Sequence, residues 1–286
     1  MSKSSLGIWV DGARPRTLPA AIAPVLVATA LAGDSLNPLT ALLALIVSLS
    51  LQIGVNYAND YSDGIRGTDN DRIGPSRITA GGLAKPIQVK SAAFISFGVA
   101  AVAGLGLAIT TSWWLIAVGA ISIAAAWGYT GGKSPYGYMG LGELFVFIFF
   151  GLVATVGSFY VQTEEITGQS ILAGVIVGSL ACAILVINNI RDRAKDEVAG
   201  KLTLAVRLGD KRSRILYTVL VIAPYLLTAG FGTPWTLLTL LTLPMTISIL
   251  KALRSGIQGV ELIALLGKTG KLQMLFSLAL SLALII

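Results

Sequence analysis

Residues 38–77 read PLTALLALIVSLSLQIGVNYANDYSDGIRGTDNDRIGPSR, and the two halves of this stretch obey different rules. From 38 to 58 the run is apolar and long enough to cross a bilayer, whose hydrocarbon core takes about 20 residues of helix. From Asn56 onward it turns polar, with Asn59, Asp60 and Asp63 at offsets 0, +1 and +4. An Asp near the centre of a span costs about 2.5–3.5 kcal/mol on insertion scales. A polar cluster at the end of a span is therefore expected to face a cavity and serve a site. The composition agrees with the apolar half: of 286 residues, 55% are hydrophobic and 12% charged. A soluble domain carries about 25% charged residues, so an ordinary soluble enzyme, a disordered chain and a nucleic-acid-binding domain of the usual kind are excluded.

Eight further segments approach span length: 17–33, 91–111, 113–130, 141–161, 170–190, 215–233, 235–250 and 272–286. The last two are the shortest, which leaves eight helices as an alternative to nine. The expectation is an all-α membrane protein, a bundle of about nine transmembrane helices forming one domain over 1–286. The opening MSKSSLGIWVDGARPRT holds no apolar run of signal-peptide length, so no cleaved leader is expected. If the spans alternate direction, all 21 Lys and Arg fall on the N-terminal side. The opposite side holds only Asp34, Glu164 and Glu165. The positive-inside bias then places the N-terminus and the connections 59–90 and 191–214 in the cytoplasm, with the chain in the cell membrane. The net charge of +7 is read as topology rather than as a sign of nucleic acid.

Residues 187–209 read INNIRDRAKDEVAGKLTLAVRLG. Asn188, Asn189 and Asp192 repeat the offsets of Asn59, Asp60 and Asp63, four spans later and so on the same face. This suggests two related halves, 17–130 and 141–250.

The chain has no His and one Cys, Cys182, which excludes histidine relays, disulfide frameworks and multi-cysteine metal sites. Carboxylates, amides, Tyr and Lys/Arg are left to do any chemistry. Asp60 and Asp63 share one helix face, as do Asp192 and Asp196. Like charges repel unless a cation sits between them, and Mg²⁺ is commonly held by one or two carboxylates plus substrate phosphates. Two facing pairs would make a metal-bridged clamp for a diphosphate, with Asn56, Asn59, Asn188 and Asn189 adding amide groups. Arg66, Arg72, Arg77, Arg191, Arg193 and Lys201 suit phosphate oxygens. A Gly-rich stretch, WGYTGGKSPYGYMGLGE (127–143), offers Tyr129 and Lys133 as further site candidates. Tyr136 and Tyr138 are read there as interfacial anchors. Glu143, at the head of a span, either caps the helix or faces the cavity. Arg207, Lys211, Arg212 and Arg214 are read as lipid anchors, and Cys182 as a packing residue.

NDYSDGIRGTDNDRIGPSR (59–77), NNIRDRAKDEVAGKLTLAVRLG (188–209) and ARPRTLPAAIAPVLVATALA (13–32) together resemble the UbiA-type intramembrane prenyltransferases. Within them they are most similar to the branch that prenylates 1,4-dihydroxy-2-naphthoate on the route to menaquinone. The resemblance implies Mg²⁺ held by Asp60, Asp63, Asp69, Asp192 and Asp196. The family's first motif falls on Asn59, Asp63 and position 67, which is Gly here, so Asp69 would stand in. Catalysis is expected from Asp60, Asp63, Asp192, Asp196 and Lys201. Asn56, Asn59, Arg16, Arg66, Arg72, Tyr129, Lys133, Asn188, Asn189 and Arg191 are expected to bind the substrates. Of these, Lys133 would fall near a diphosphate-binding lysine and Arg16 near an N-terminal arginine that faces the cavity. The implied reaction joins a polyprenyl diphosphate to the naphthoate with loss of CO₂, the prenyl chain lying in a groove open to membrane lipid. A related acceptor such as 4-hydroxybenzoate, a transporter, or a non-enzymatic membrane scaffold are the alternatives.

Overall fold

The computed structural model describes residues 5–68 and 77–286. The described residues form helices and connecting turns, with no strand among them. In chain order the main helices are α1 (Ser5–Ala13), α2 (Pro19–Leu31), α3 (Pro38–Arg66), α4 (Pro86–Thr110) and α5 (Leu115–Gly128). They continue with α6 (Gly142–Thr163), α7 (Gly168–Val198), α8 (Leu204–Phe231), α9 (Pro234–Arg254) and α10 (Glu261–Ile285). Each of the nine apolar segments falls on one of the helices α2–α10. Seven of those helices are long and apolar enough to cross a membrane, while α2 and α5 are shorter. Large side chains such as Val102, Leu226 and Leu241 stand more than 70% exposed. Apolar surface on that scale calls for lipid or a partner.

Local sequence explains where the long helices begin and end. The Asn37 side chain accepts from the Leu39 and Thr40 amides at 3.0 and 3.3 Å, ahead of Pro38 in the first turn of α3. At the other end, Gly67 adopts a left-handed φ of 75° that a β-carbon disfavours. Thr167 and Ser170 close a reciprocal cap at the start of α7. The polar ends assigned to loops from sequence are helical: Asn59–Arg66 extends α3, Arg191–Val198 extends α7, and α8 starts at Leu204. The connection after α7 is therefore only residues 199–203. With 29 and 31 residues, α3 and α7 run roughly 44–46 Å at 1.5 Å per residue, well beyond a hydrocarbon core of about 30 Å. Both polar motifs sit on this overhang.

The centre of the bundle is α7, whose apolar window is 78% buried against 28–44% for the other six long helices. Small residues let its neighbours in. The backbone of α6 touches it where a β-carbon on Gly151 would lie 2.7 Å from the Gly178 Cα. Around that contact α6 widens into a π-helical segment, Phe147–Val153, a local irregularity that often marks functional positions.

Candidate active site

On α3 the positions Ala44, Ser48, Leu51, Val55, Asn59 and Asp63 recur at helical spacing and line one cavity of about 300 Å³. The stripe turns from apolar to polar along its length, and the cavity does the same. Val118, Phe149, Phe150 and Val153 face the apolar part from α5 and α6. Asn188, Asn189 and Asp196 bring α7 to the polar part, where Arg14, Arg77, Tyr129 and Lys201 join them. One amphipathic cavity thus unites both sequence motifs.

Asp63 is the hub of the polar end. Its Oδ1 accepts the Tyr138 hydroxyl at 2.7 Å, and its Oδ2 lies 3.4 Å from Lys201 Nζ and 3.8 Å from an Arg77 nitrogen. The carboxyl is only 3% exposed, so these cations act through little water and interact more strongly than at a surface. Lys201 also lies 4.8 Å from the centre of the Tyr138 ring. Burial, and then the Asp63 charge, push the Tyr138 phenol above its ordinary range, keeping it a neutral donor. The short 199–203 connection is registered on this site: Lys201 N donates to Asp196 O at 2.7 Å, and Leu202 N to Tyr138 O at 3.0 Å.

The four aspartates expected to form a clamp do not converge. Asp60 is 1% exposed and turned to the turn that follows the motif, its two oxygens accepting from the Ile78 and Thr79 amides at 2.9 and 2.8 Å. That geometry makes it a bracket for the chain, not a cavity group. Asp192 is chelated by its neighbour Arg191, at 2.7 Å from Nε and 2.5 Å from Nη2, and does not line the cavity. Asp63 and Asp196 are the carboxylates that do. Among the described residues no three Asp, Glu or Cys side chains gather to hold a metal ion by themselves. Asp69 and Arg72 lie outside the described residues.

The other candidates divide in the same way. Asn56 lines the cavity but spends its amide on Ala13 O at 2.8 Å and Thr17 Oγ1 at 3.1 Å, tying α3 to the N-terminal segment. Asn59 Oδ1 accepts from Thr130 at 2.7 Å. Tyr129 lines the cavity, its ring edge-on to Tyr136. Arg191 is buried and serves Asp192 and Asn188. Three expectations need correcting. Arg16 is exposed and off the cavity; Arg14, two residues earlier, lines it. Lys133 is exposed on its loop, and the cavity lysine is Lys201. Arg66 is exposed and braces the Gly-rich loop through the Thr130 and Gly132 carbonyls.

Sequence reasoning passed over Arg14 and read Tyr138 as an interfacial anchor. Arg14 takes a left-handed φ of 54°, unusual for a non-glycine residue, and its Nη2 is buried with no hydrogen-bond partner among the described residues. Strain of about 1–3 kcal/mol concentrated on one residue tends to occur at functional sites. The available signal was the Arg-Pro dipeptide, which disfavours helical geometry at the arginine. Tyr138 gave no signal apart from any interfacial tyrosine.

Comparison with known proteins follows the same lines. The chain matches the UbiA prenyltransferase family over residues 21–258. It is 50% identical over 280 residues to the 1,4-dihydroxy-2-naphthoate octaprenyltransferase of Mycobacterium tuberculosis, covering 96% of each chain. To the protein of the same name from Escherichia coli it is 39% identical over 253 residues, covering 84% of this chain and 82% of that one. Among solved structures it resembles a UbiA homologue from Archaeoglobus fulgidus bound to GPP and Mg²⁺, with a TM-score of 0.67 at 15% identity, over 97% of this chain and 99% of that one. An apo UbiA homologue from Aeropyrum pernix K1 gives a TM-score of 0.72 at 15% identity, over 92% of this chain and 96% of that one. The amphipathic cavity, the paired polar motifs and these likenesses together make the chain a member of the UbiA prenyltransferase family.

Proposed function

We propose that this chain transfers a polyprenyl group from a polyprenyl diphosphate to 1,4-dihydroxy-2-naphthoate, with loss of CO₂, giving demethylmenaquinol. The observation that carries the reading is the cavity's polarity. A head lined by Lys201, Arg77 and Arg14 suits a diphosphate, and walls of Phe149, Phe150 and Val153 suit a hydrocarbon tail. The names of the relatives identify the acceptor.

In this reading Lys201 and Arg77 bind the diphosphate oxygens and stabilise the negative charge that grows as the allylic C–O bond breaks. The apolar wall excludes water from the allylic cation until the naphthoate ring attacks it. The acceptor's carboxylate then leaves as CO₂, which restores aromaticity. Asp63 and Asp196 are acceptor-only groups on one cavity, a donor set that fits Mg²⁺ once substrate phosphates complete the shell. When bound there, the ion supplies charge neutralisation on the leaving group. Tyr138 holds Asp63 in place. We place the site on the cytoplasmic face of the cell membrane, because the basic residues of the site share an end of the bundle with the polar motifs. We also read the halves 17–130 and 141–250 as a pseudo-repeat.

The test uses the purified protein, a polyprenyl diphosphate, Mg²⁺ and a panel of aromatic acids. CO₂ release with 1,4-dihydroxy-2-naphthoate, abolished by chelator and restored by Mg²⁺, is the expected result. Transfer to 4-hydroxybenzoate instead, or full activity in excess chelator, overturns the acceptor or the metal respectively.

A further inference from the structure

Asn188 and Asn189 are adjacent on α7 and both line the cavity, yet they present opposite chemistry to it. An amide side chain has a donor end and an acceptor end, and which one faces a cavity is set by the partner of the other. Asn188 Oδ1 accepts from Arg191 Nη2 at 2.8 Å. A guanidinium only donates, so the Asn188 oxygen is committed and its NH₂ is left over. Asn189 is the reverse. Its Nδ2 donates to Glu143 Oε1 at 2.9 Å, and its Oδ1 has no hydrogen-bond partner among the described residues. Asn59 resembles Asn188, since its Oδ1 is taken by Thr130. Beside the cations that donate and the charged acceptors Asp63 and Asp196, Asn189 offers the polar end a neutral carbonyl.

Glu143 stands in the first turn of α6, where a carboxylate suits the helix dipole, and its side chain also reaches Asn189. It is 7% exposed at the head of α6, and its Oε2 has no partner among the described residues. Burying an under-satisfied carboxyl group is costly, and its one side-chain partner is the cavity amide. We infer that Asn189, oriented by Glu143, accepts a hydrogen bond from a phenolic hydroxyl of the aromatic acceptor and so selects for ring hydroxylation. Glu143 is a positioning residue and Asn189 the group that touches substrate. The inference rests on the proposed transfer to a dihydroxynaphthoate.

Binding separates this role from chemistry. Dissociation constants of 1,4-dihydroxy-2-naphthoate, 1-hydroxy-2-naphthoate and 4-hydroxy-2-naphthoate are measured by titration calorimetry on the full-length protein in detergent. In the wild type one monohydroxy acid, the one lacking the hydroxyl that Asn189 reads, binds about tenfold more weakly than the other, the worth of one hydrogen bond. In Asn189→Leu the two constants converge to within about twofold. Glu143→Gln, whose amide can also donate and so releases the Asn189 orientation, narrows the gap and stands as the second variant should Asn189→Leu fail to fold. Equal binding of both acids to the wild type, or an undiminished gap in whichever variants fold, overturns the assignment of Asn189. No binding of 1,4-dihydroxy-2-naphthoate to the wild type instead overturns the acceptor on which the inference rests.

Discussion

The Tyr138 hydroxyl donates to Asp63 Oδ1 at 2.7 Å across 75 residues of sequence, joining the Gly-rich loop to the first polar motif. Asp63 meets Lys201 on its other oxygen, so three separate stretches of chain meet at one buried carboxylate. Asp63→Ala is expected to lower transfer by about 10²–10³-fold, the usual cost of removing one element of preorganised charge. The protein should remain folded and membrane-inserted. Turnover near that of the wild type would contradict the assignment.

Asp60→Ala should behave differently, although the residue lies only three positions away. It leaves the Ile78 and Thr79 amides without their acceptor, at a cost of about 1–3 kcal/mol for stranding buried donors. Thermal unfolding in detergent is expected to shift downward while the folded fraction keeps kcat within a fewfold of wild type. A normal melting midpoint with abolished turnover would return Asp60 to the chemistry.

Two pairs of cations offer a matched comparison. Arg14→Ala and Lys201→Ala are expected to reduce kcat/KM at least tenfold, because each lines the cavity and hydrogen bonds to charged groups are worth about 1.5–3 kcal/mol. Arg16→Ala and Lys133→Ala, both at exposed positions, should change it less than about twofold, as for surface substitutions generally. Steady-state kinetics with the donor varied decides between them.

The Tyr138 phenol titrates above its ordinary value of 10.0, chiefly because it is buried and then because Asp63 is near. A raised pKa means that the folded state favours the neutral phenol. Its contribution is complete below pH 10 and is lost as the pH climbs from there toward the folded-state value. The melting midpoint of the wild type should therefore fall more steeply above pH 10 than that of Tyr138→Phe, and the two curves should run parallel below it. Parallel curves throughout would remove the coupling.

What sequence disclosed was local. Apolar runs and their polar ends follow from composition, so the apolar parts of α3 and α7 and the positions of the two motifs were legible, while the helical extension of both through their motifs was not. Which carboxylate turns inward was not. Asp60 is claimed by amides 18 and 19 residues downstream, and Asp192 by the arginine beside it. Both choices depend on partners that spacing does not reveal. Arg14 and Arg16 differ by two residues, and the left-handed turn at Arg14 sets which of them meets the cavity. Tyr138 was read as an anchor because tyrosine suits a membrane interface and a buried hydrogen bond equally well.

The contact of Gly151 with Gly178 gives the cavity one stiff side and one compliant side. With no β-carbons between them, the backbones of α6 and α7 are already in touch, so α6 has nowhere to retreat when a tail presses on Phe149 and Phe150. Another wall, α5, has only Ser122 and Ala126 buried along its 14 residues. A longer or bulkier isoprenoid is therefore expected to make room by displacing α5 outward, with the motif-bearing helix and the groups registered on it keeping their positions.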